Sequence, residues 1–196
     1  MITLPETPAP NGANPTSIDF GANLIPPTGA RELRVDRAGN RFSIEVSWPP
    51  MQPQIARVFI SRLLEAKRKG VRIPYPLLES QSGCGSPVVD GAGQTGTTLN
   101  VRALTPGYAH KEGFWLSIED AAGQHYLHNC RQSGRAGSTG LATFKIEPAL
   151  RRPFLDGAAV HLAKPMIEGR PVGSEWSWQI PLNHLTALSV MIREVA

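Results

Sequence analysis

Five sets of residues have types and spacings that would suit chemistry. His125, His128 and Cys130 lie close together, and imidazole and thiolate are zinc ligands. A tetrahedral site needs four of them, Cys84 is the one other thiol, and the spacing matches no zinc module. On a strand, His128 and Cys130 would project to one side and His125 to the other. No metal is expected, and the two cysteines are expected as free thiols.

Gly91, Gly93 and Gly96 stand at the spacing of a dinucleotide fingerprint. That fingerprint works because a helix opens after it and its N-terminus holds pyrophosphate. Here Thr97 to Val101 is β-branched and alternating, so a strand follows, and no Lys precedes Ser or Thr as a phosphate loop requires. A hairpin or connecting loop is expected, and no cofactor. Glu112, Glu119 and Asp120 are candidates for a glycosidase-type carboxylate pair, but acids flanking a turn are expected to be solvated. Serine occupies no nucleophile elbow, and no His-Glu-x-x-His occurs. No catalytic residue emerges, so the chain is not expected to be an enzyme.

Trp176 and Trp178 would share one face of a short strand, Trp176 to Ile180. Such a pair builds a sugar platform or, more often, lines a core or subunit interface. Positive charge gathers at Lys67, Arg68 and Lys69 and again at Arg151 and Arg152, within a net charge of +4 and a pI near 9.4. Neither run interleaves aromatic residues, which argues against direct nucleic-acid binding. Solvated charge on a helix end and a loop is one reading, and a basic patch that meets an acidic partner is another. Trp176, Trp178, Lys67, Arg68 and Lys69 are therefore the candidate interface residues.

These side chains must be positioned by short elements. The 196 residues include 19 Gly and 18 Pro without a period, as turn-rich β proteins require. Residues 1–29 carry few apolar side chains and are expected to form an extended arm, ordered where a neighbouring subunit holds it. Arg31 to Val35 reads as a strand, Asp36 to Asn40 as a turn, and Arg41 to Trp48 as a strand that alternates with period two. Pro49 and Pro50 should end that strand.

Gln54 to Lys69 predicts the main helix, with Ile55, Val58, Phe59, Leu63 and Ala66 on one face, Pro53 in its first turn and Gly70 just past its end. Val71 to Leu78 follows as a proline-broken strand, and 80–96 as a Gly/Ser-rich loop. Strands are then expected at Thr98 to Leu104, Gly113 to Ile118, Gln124 to Arg131, Leu141 to Ile146, Ala158 to Ala163 and Thr186 to Glu194. Regular turns after residue 96 suggest a small barrel or sandwich. The fold class expected is mainly β with one main α-helix. No apolar run is long enough to cross a membrane, the N-terminus lacks signal-peptide order, and cytoplasmic folding is expected.

Several segments, taken in order, resemble a family of tail proteins of long-tailed bacteriophages. They are Phe42 to Met51 (FSIEVSWPPM), Gly91 to Leu99 (GAGQTGTTL), Leu104 to Gly107 (LTPG) and Glu112 to Ile118 (EGFWLSI). His125 to Leu127 (HYL), Gly140 to Arg151 (GLATFKIEPALR) and Lys164 to Gly169 (KPMIEG) complete the series. The family commonly has Asp where Phe114 stands. The resemblance implies a distal tail protein or a close relative, found in the virion and assembled in the host cytoplasm. Its partners would be copies of itself in a ring, usually sixfold, together with the tail tube protein, the hub and the adsorption proteins. It further implies a sheet-plus-helix ring domain over 30–88 and 173–196, with an inserted β-barrel over 89–172. Thr186 to Glu194 would pair near Arg41 to Trp48. Another tail, neck or tail-completion protein of the virion is the nearest alternative. A carbohydrate- or nucleic-acid-binding barrel is the alternative of another class.

Overall fold

A computed structural model describes residues 1–35, 37 and 39–195. The expected turn at Asp36 to Asn40 includes Asp36 and Ala38, which lie outside the described residues. The chain is mainly β with a single helix. Its elements are β1 (Ile2–Thr3), β2 (Gly12–Ile18), β3 (Ala22–Leu24), β4 (Leu33–Val35), β5 (Arg41–Met51), α1 (Pro53–Lys69) and β6 (Val71–Pro74). There follow β7 (Gly85–Val89), β8 (Gly96–Leu104), β9 (Ala109–His110), β10 (Trp115–Glu119), β11 (His125–Cys130) and β12 (Gly134–Arg135). The last are β13 (Ala142–Leu150), β14 (Val160–His161), β15 (Met166–Pro171) and β16 (Thr186–Glu194).

One six-stranded sheet runs β1-β6-β15-β16-β5-β2 and a second runs β14-β10-β11-β13-β8-β7. The second is nearly closed: a bridge between Val88 and Ala159 brings its two edges together, making the small barrel. The first stays open, with β1 and β2 at its edges. β16 lies antiparallel to β5, with Val190 opposite Val46 and Ile192 opposite Ile44. Cross-strand partners share a face, so both strands bury the same side.

α1 covers that side. Ala56, Phe59, Leu63 and Ala66 are buried, and Trp48 meets Phe59 edge-on with centroids 5.5 Å apart, within the range of favourable aromatic pairs. Ile55 and Val58, expected on this face, lie on its flank and are over a third exposed. Gly70 ends the helix at φ 79°, with its N–H on the Ala66 carbonyl at 2.7 Å. The barrel reaches into the same core through Trp115, which packs on Phe42 and Tyr75, and through Leu127. Leu99, Leu116, Ile118, Phe144 and Ile146 fill the barrel itself.

Several expectations are corrected. Within the extended residues 1–29, two segments pair inside the same chain, β1 with β6 and β2 with β5. Backbone ladders need no apolar side chains, and β2 leaves most of its own exposed. β5 continues through Pro49 and Pro50, because the β5–β16 ladder slips its register between Leu188 and Thr186 and so asks no hydrogen bond of the prolines. The Gly/Ser loop contains β7, so the barrel starts at Gly85. Met166–Pro171, expected in the inserted domain, pairs instead with β6 and β16 of the first sheet. Gly169 permits this approach, since a Cβ there would run into the Arg193 carbonyl.

Candidate assembly interface

The β3–β4 hairpin pairs with neither large sheet. Leu24, Ile25 and Leu33 on it are 54%, 69% and 60% exposed, and Phe20 and Val35 flank them. A lone two-stranded ribbon is marginal in water, and a contiguous exposed apolar patch marks an interaction surface. The hairpin's base is held by an Asp19–Arg34 ion pair at 2.6 Å and by Arg41 stacked over Phe20 at 4.8 Å. The Arg34 guanidinium holds the Asp19 carboxyl below its usual range. Beside the hairpin, β2 offers an edge that no other described strand covers. A second apolar stretch, Ile180, Leu182 and Leu185, lies in the irregular segment before β16.

The tryptophans come from that irregular segment, and the expected strand from Trp176 to Ile180 is absent. β15 pairs with β16 only from Ile192 to Glu194, so the earlier part of β16 lacks a strand on that side. Substitute donors fill the gap: the Val172 N–H bonds the Met191 carbonyl and Trp176 Nε1 bonds the Ser189 carbonyl, both at 2.8 Å. With the indole serving the ladder, the segment has no need of strand geometry. The two indoles still meet, 5.0 Å between centroids, and both pack half-buried on the first core. Lys67 Nζ donates to the Ser174 carbonyl at 2.8 Å, whereas Lys69 turns back to Glu65 at 2.6 Å. Arg68 is exposed. Of the five candidate interface residues, Lys67, Trp176 and Trp178 therefore converge on one segment.

The joint between the sheets was not foreseen. The first half of β11 has no β13 partner, because that ladder holds only Asn129 and Cys130. Two buried carboxylates of the first sheet accept its free N–H groups instead: Glu168 takes His125 N–H at 3.1 Å and Glu194 takes Leu127 N–H at 3.0 Å. Glu194 also accepts Phe42 N–H at 2.8 Å. An arginine balances each acid, Arg72 on Glu168 and Arg151 on Glu194, the latter at 2.8 Å with both side chains under a tenth exposed. Arg72 also donates to the Gly123 carbonyl, and Arg151 lies over the Tyr126 ring. Burial pushes the Glu194 carboxyl up, against the pull of Arg151. Arg151, expected on a solvated loop, is thus an interior charge. One signal was present: the period of two that buries Leu188, Val190 and Ile192 places Glu194 on the same face.

The remaining candidates are separated or put to structural use. Gly91 and Gly93 sit in the turn between β7 and β8 and Gly96 opens β8, each at positive φ, and Gln94 bonds the Asp90 and Asn100 backbone across the turn. His128 is fully buried, its Nδ1 on the Pro148 carbonyl at 2.8 Å, and Cys84 and Cys130 are free, buried thiols. Asp120 is not solvated: it caps its own turn through Ala122 and Gln124 N–H and pairs with Arg152 at 2.7 Å. Glu112 stays exposed at the surface, while Glu119 turns to His161 at 2.9 Å. No family model and no curated protein matches the chain.

Proposed function

We propose that the chain is a structural subunit of a phage tail tip, of the distal-tail type, which acts by assembling and not by catalysis. It forms a ring of identical copies, usually sixfold in such proteins, between the tail tube and the hub with its adsorption proteins. The observation that carries this reading is the presence on one subunit of an apolar β3–β4 hairpin outside both large sheets and of an uncovered β2 edge on the open sheet. A ring with a head-to-tail interface needs two different surfaces on each subunit, and strand edges accept a neighbour's chain through backbone bonds. The nearly closed barrel has no such edge to offer and suits a face turned to other tail components.

Light scattering on purified protein, alone and with its tail tube protein, tests the proposal. A closed oligomer in either sample is expected, and Ile25→Lys with Leu33→Lys should dissolve it. A monomer beside every tail component overturns it.

A further inference from the structure

On the outer face of the barrel wall, opposite the side that buries Leu116, Ile118 and Tyr126, three adjacent strands, β14, β10 and β11, bring Glu119, His125 and His161 together. Glu119 lies opposite His125 in the β10–β11 ladder, and His161 lies opposite Ser117 in the β10–β14 ladder. Opposite residues share a face, as do residues two apart on a strand, so the four side chains gather on one side. Glu119 Oε2 is 2.9 Å from His161 Nε2 and 3.8 Å from His125 Nε2, and one donor atom from each residue lies within 4.8 Å of the others. A tetrahedral ion bound at about 2.0–2.1 Å places its ligand atoms roughly 3.3 Å apart. The 2.9 Å and 3.8 Å separations from Glu119 Oε2 lie on either side of that spacing.

His125 is set as a ligand would be. Its side chain is 3% exposed, and its Nδ1 meets Ser117 Oγ at 3.2 Å. Ser117 is fixed in turn by the Met166 N–H at 2.9 Å. Nε2 has no hydrogen-bond partner among the described residues and is directed towards Glu119. An outer hydrogen bond that orients the ring and leaves the other nitrogen bare is the usual second layer of a histidine–metal site. Glu119 and His161 are each about a third exposed, so ions reach the cluster from solvent.

We propose that Glu119, His125 and His161 bind one divalent first-row metal ion of the zinc type. Two imidazoles and one carboxylate favour that class over calcium or magnesium, which prefer all-oxygen shells. With three protein ligands, water completes the shell. The ion ties three strands together beside Glu168 and Arg72, and this role does not depend on the ring reading.

Full-length protein stripped with EDTA and dialysed is titrated with CoCl2 and followed by visible absorption. One cobalt ion per chain, displaced by Zn2+, is expected, together with a higher Tm when zinc is present. His161→Ala and Glu119→Gln, both at part-exposed positions, should each weaken cobalt binding more than about tenfold. Wild type that takes up no cobalt overturns the site, as does unchanged affinity in the variants. If one variant fails to fold, the other and the wild-type titration still decide.

Discussion

The two sheets of this protein solve the problem of strand edges in opposite ways. The barrel bends until Val88 meets Ala159, and its large exposed hydrophobics are only Leu141 and Leu155 among the described residues. The first sheet stays open, carries a hairpin with apolar side chains in solvent, and mends a gap beside β16 with an indole N–H. Where the two meet, the contact combines aromatic packing around Trp115 with a pair of buried carboxylate–arginine clusters that serve β11. The barrel closes its edges on itself and borrows only the Glu168 and Glu194 carboxylates for β11, whereas the first sheet leaves its edge strands open.

The charged joint gives the largest expected effect. Arg151→Met leaves Glu194 buried without its counter-ion and should cost about 3–5 kcal/mol in urea unfolding. The double variant Arg151→Met with Glu194→Gln should recover a good part of that loss. No change in the single variant would mean that solvent reaches the pair. Next in size is Gly169→Ala, which forces β15 away from the Arg193 carbonyl. A loss of about 3 kcal/mol is expected, with hydrogen exchange rising along β15 and β16 and not in the barrel.

Acid should then strain the barrel in its own way. Burial lowers His128 to about 3, so the folded chain keeps it neutral while the unfolded chain protonates it near 6.5. Its contribution is intact above pH 6.5 and is lost as pH falls towards 3, at up to about 1.4 kcal/mol per pH unit. His128→Asn retains an N–H for the Pro148 carbonyl and should lessen the slope of stability against pH between 6 and 4, leaving the share of His125, which burial lowers to about 4. The smallest effect on stability belongs to the hairpin: Leu24→Ser and Leu33→Ser should each change unfolding by less than about 0.5 kcal/mol. A large loss there would show that the exposed ribbon supports the monomer's own fold.

Local chemistry made part of this legible in the sequence. Alternation locates β16 from Thr186 to Glu194, and Pro53 and Gly70 frame α1. β7 was hidden because its apolar residues are the consecutive Pro87, Val88 and Val89 at the end of a Gly/Ser-rich stretch, with no alternation to mark a strand. β2 was hidden because it leaves most of its side chains exposed. Long sequence separations concealed the ion pairs, since Arg72 and Glu168 meet only after the barrel has intervened. His161 falls in an expected strand, Ala158 to Ala163, but nothing local links it to His125, because the two meet only across the β10 strand between them.

The placement of β16 between β15 and β5 also orders events during synthesis. The barrel, from Gly85 to His161, leaves the ribosome as one uninterrupted stretch and can fold on emergence. β5 and α1 are made earlier, yet Ser47 finds Ser189 opposite it only after the barrel and β15 have been translated. Until then Ile44, Val46 and Trp48 have an unfilled neighbour position, the situation in which slow, long-range pairing leaves sticky strands open to chaperones. Translation speed over residues 162–194 should therefore govern the yield of usable subunits more than speed anywhere within the barrel.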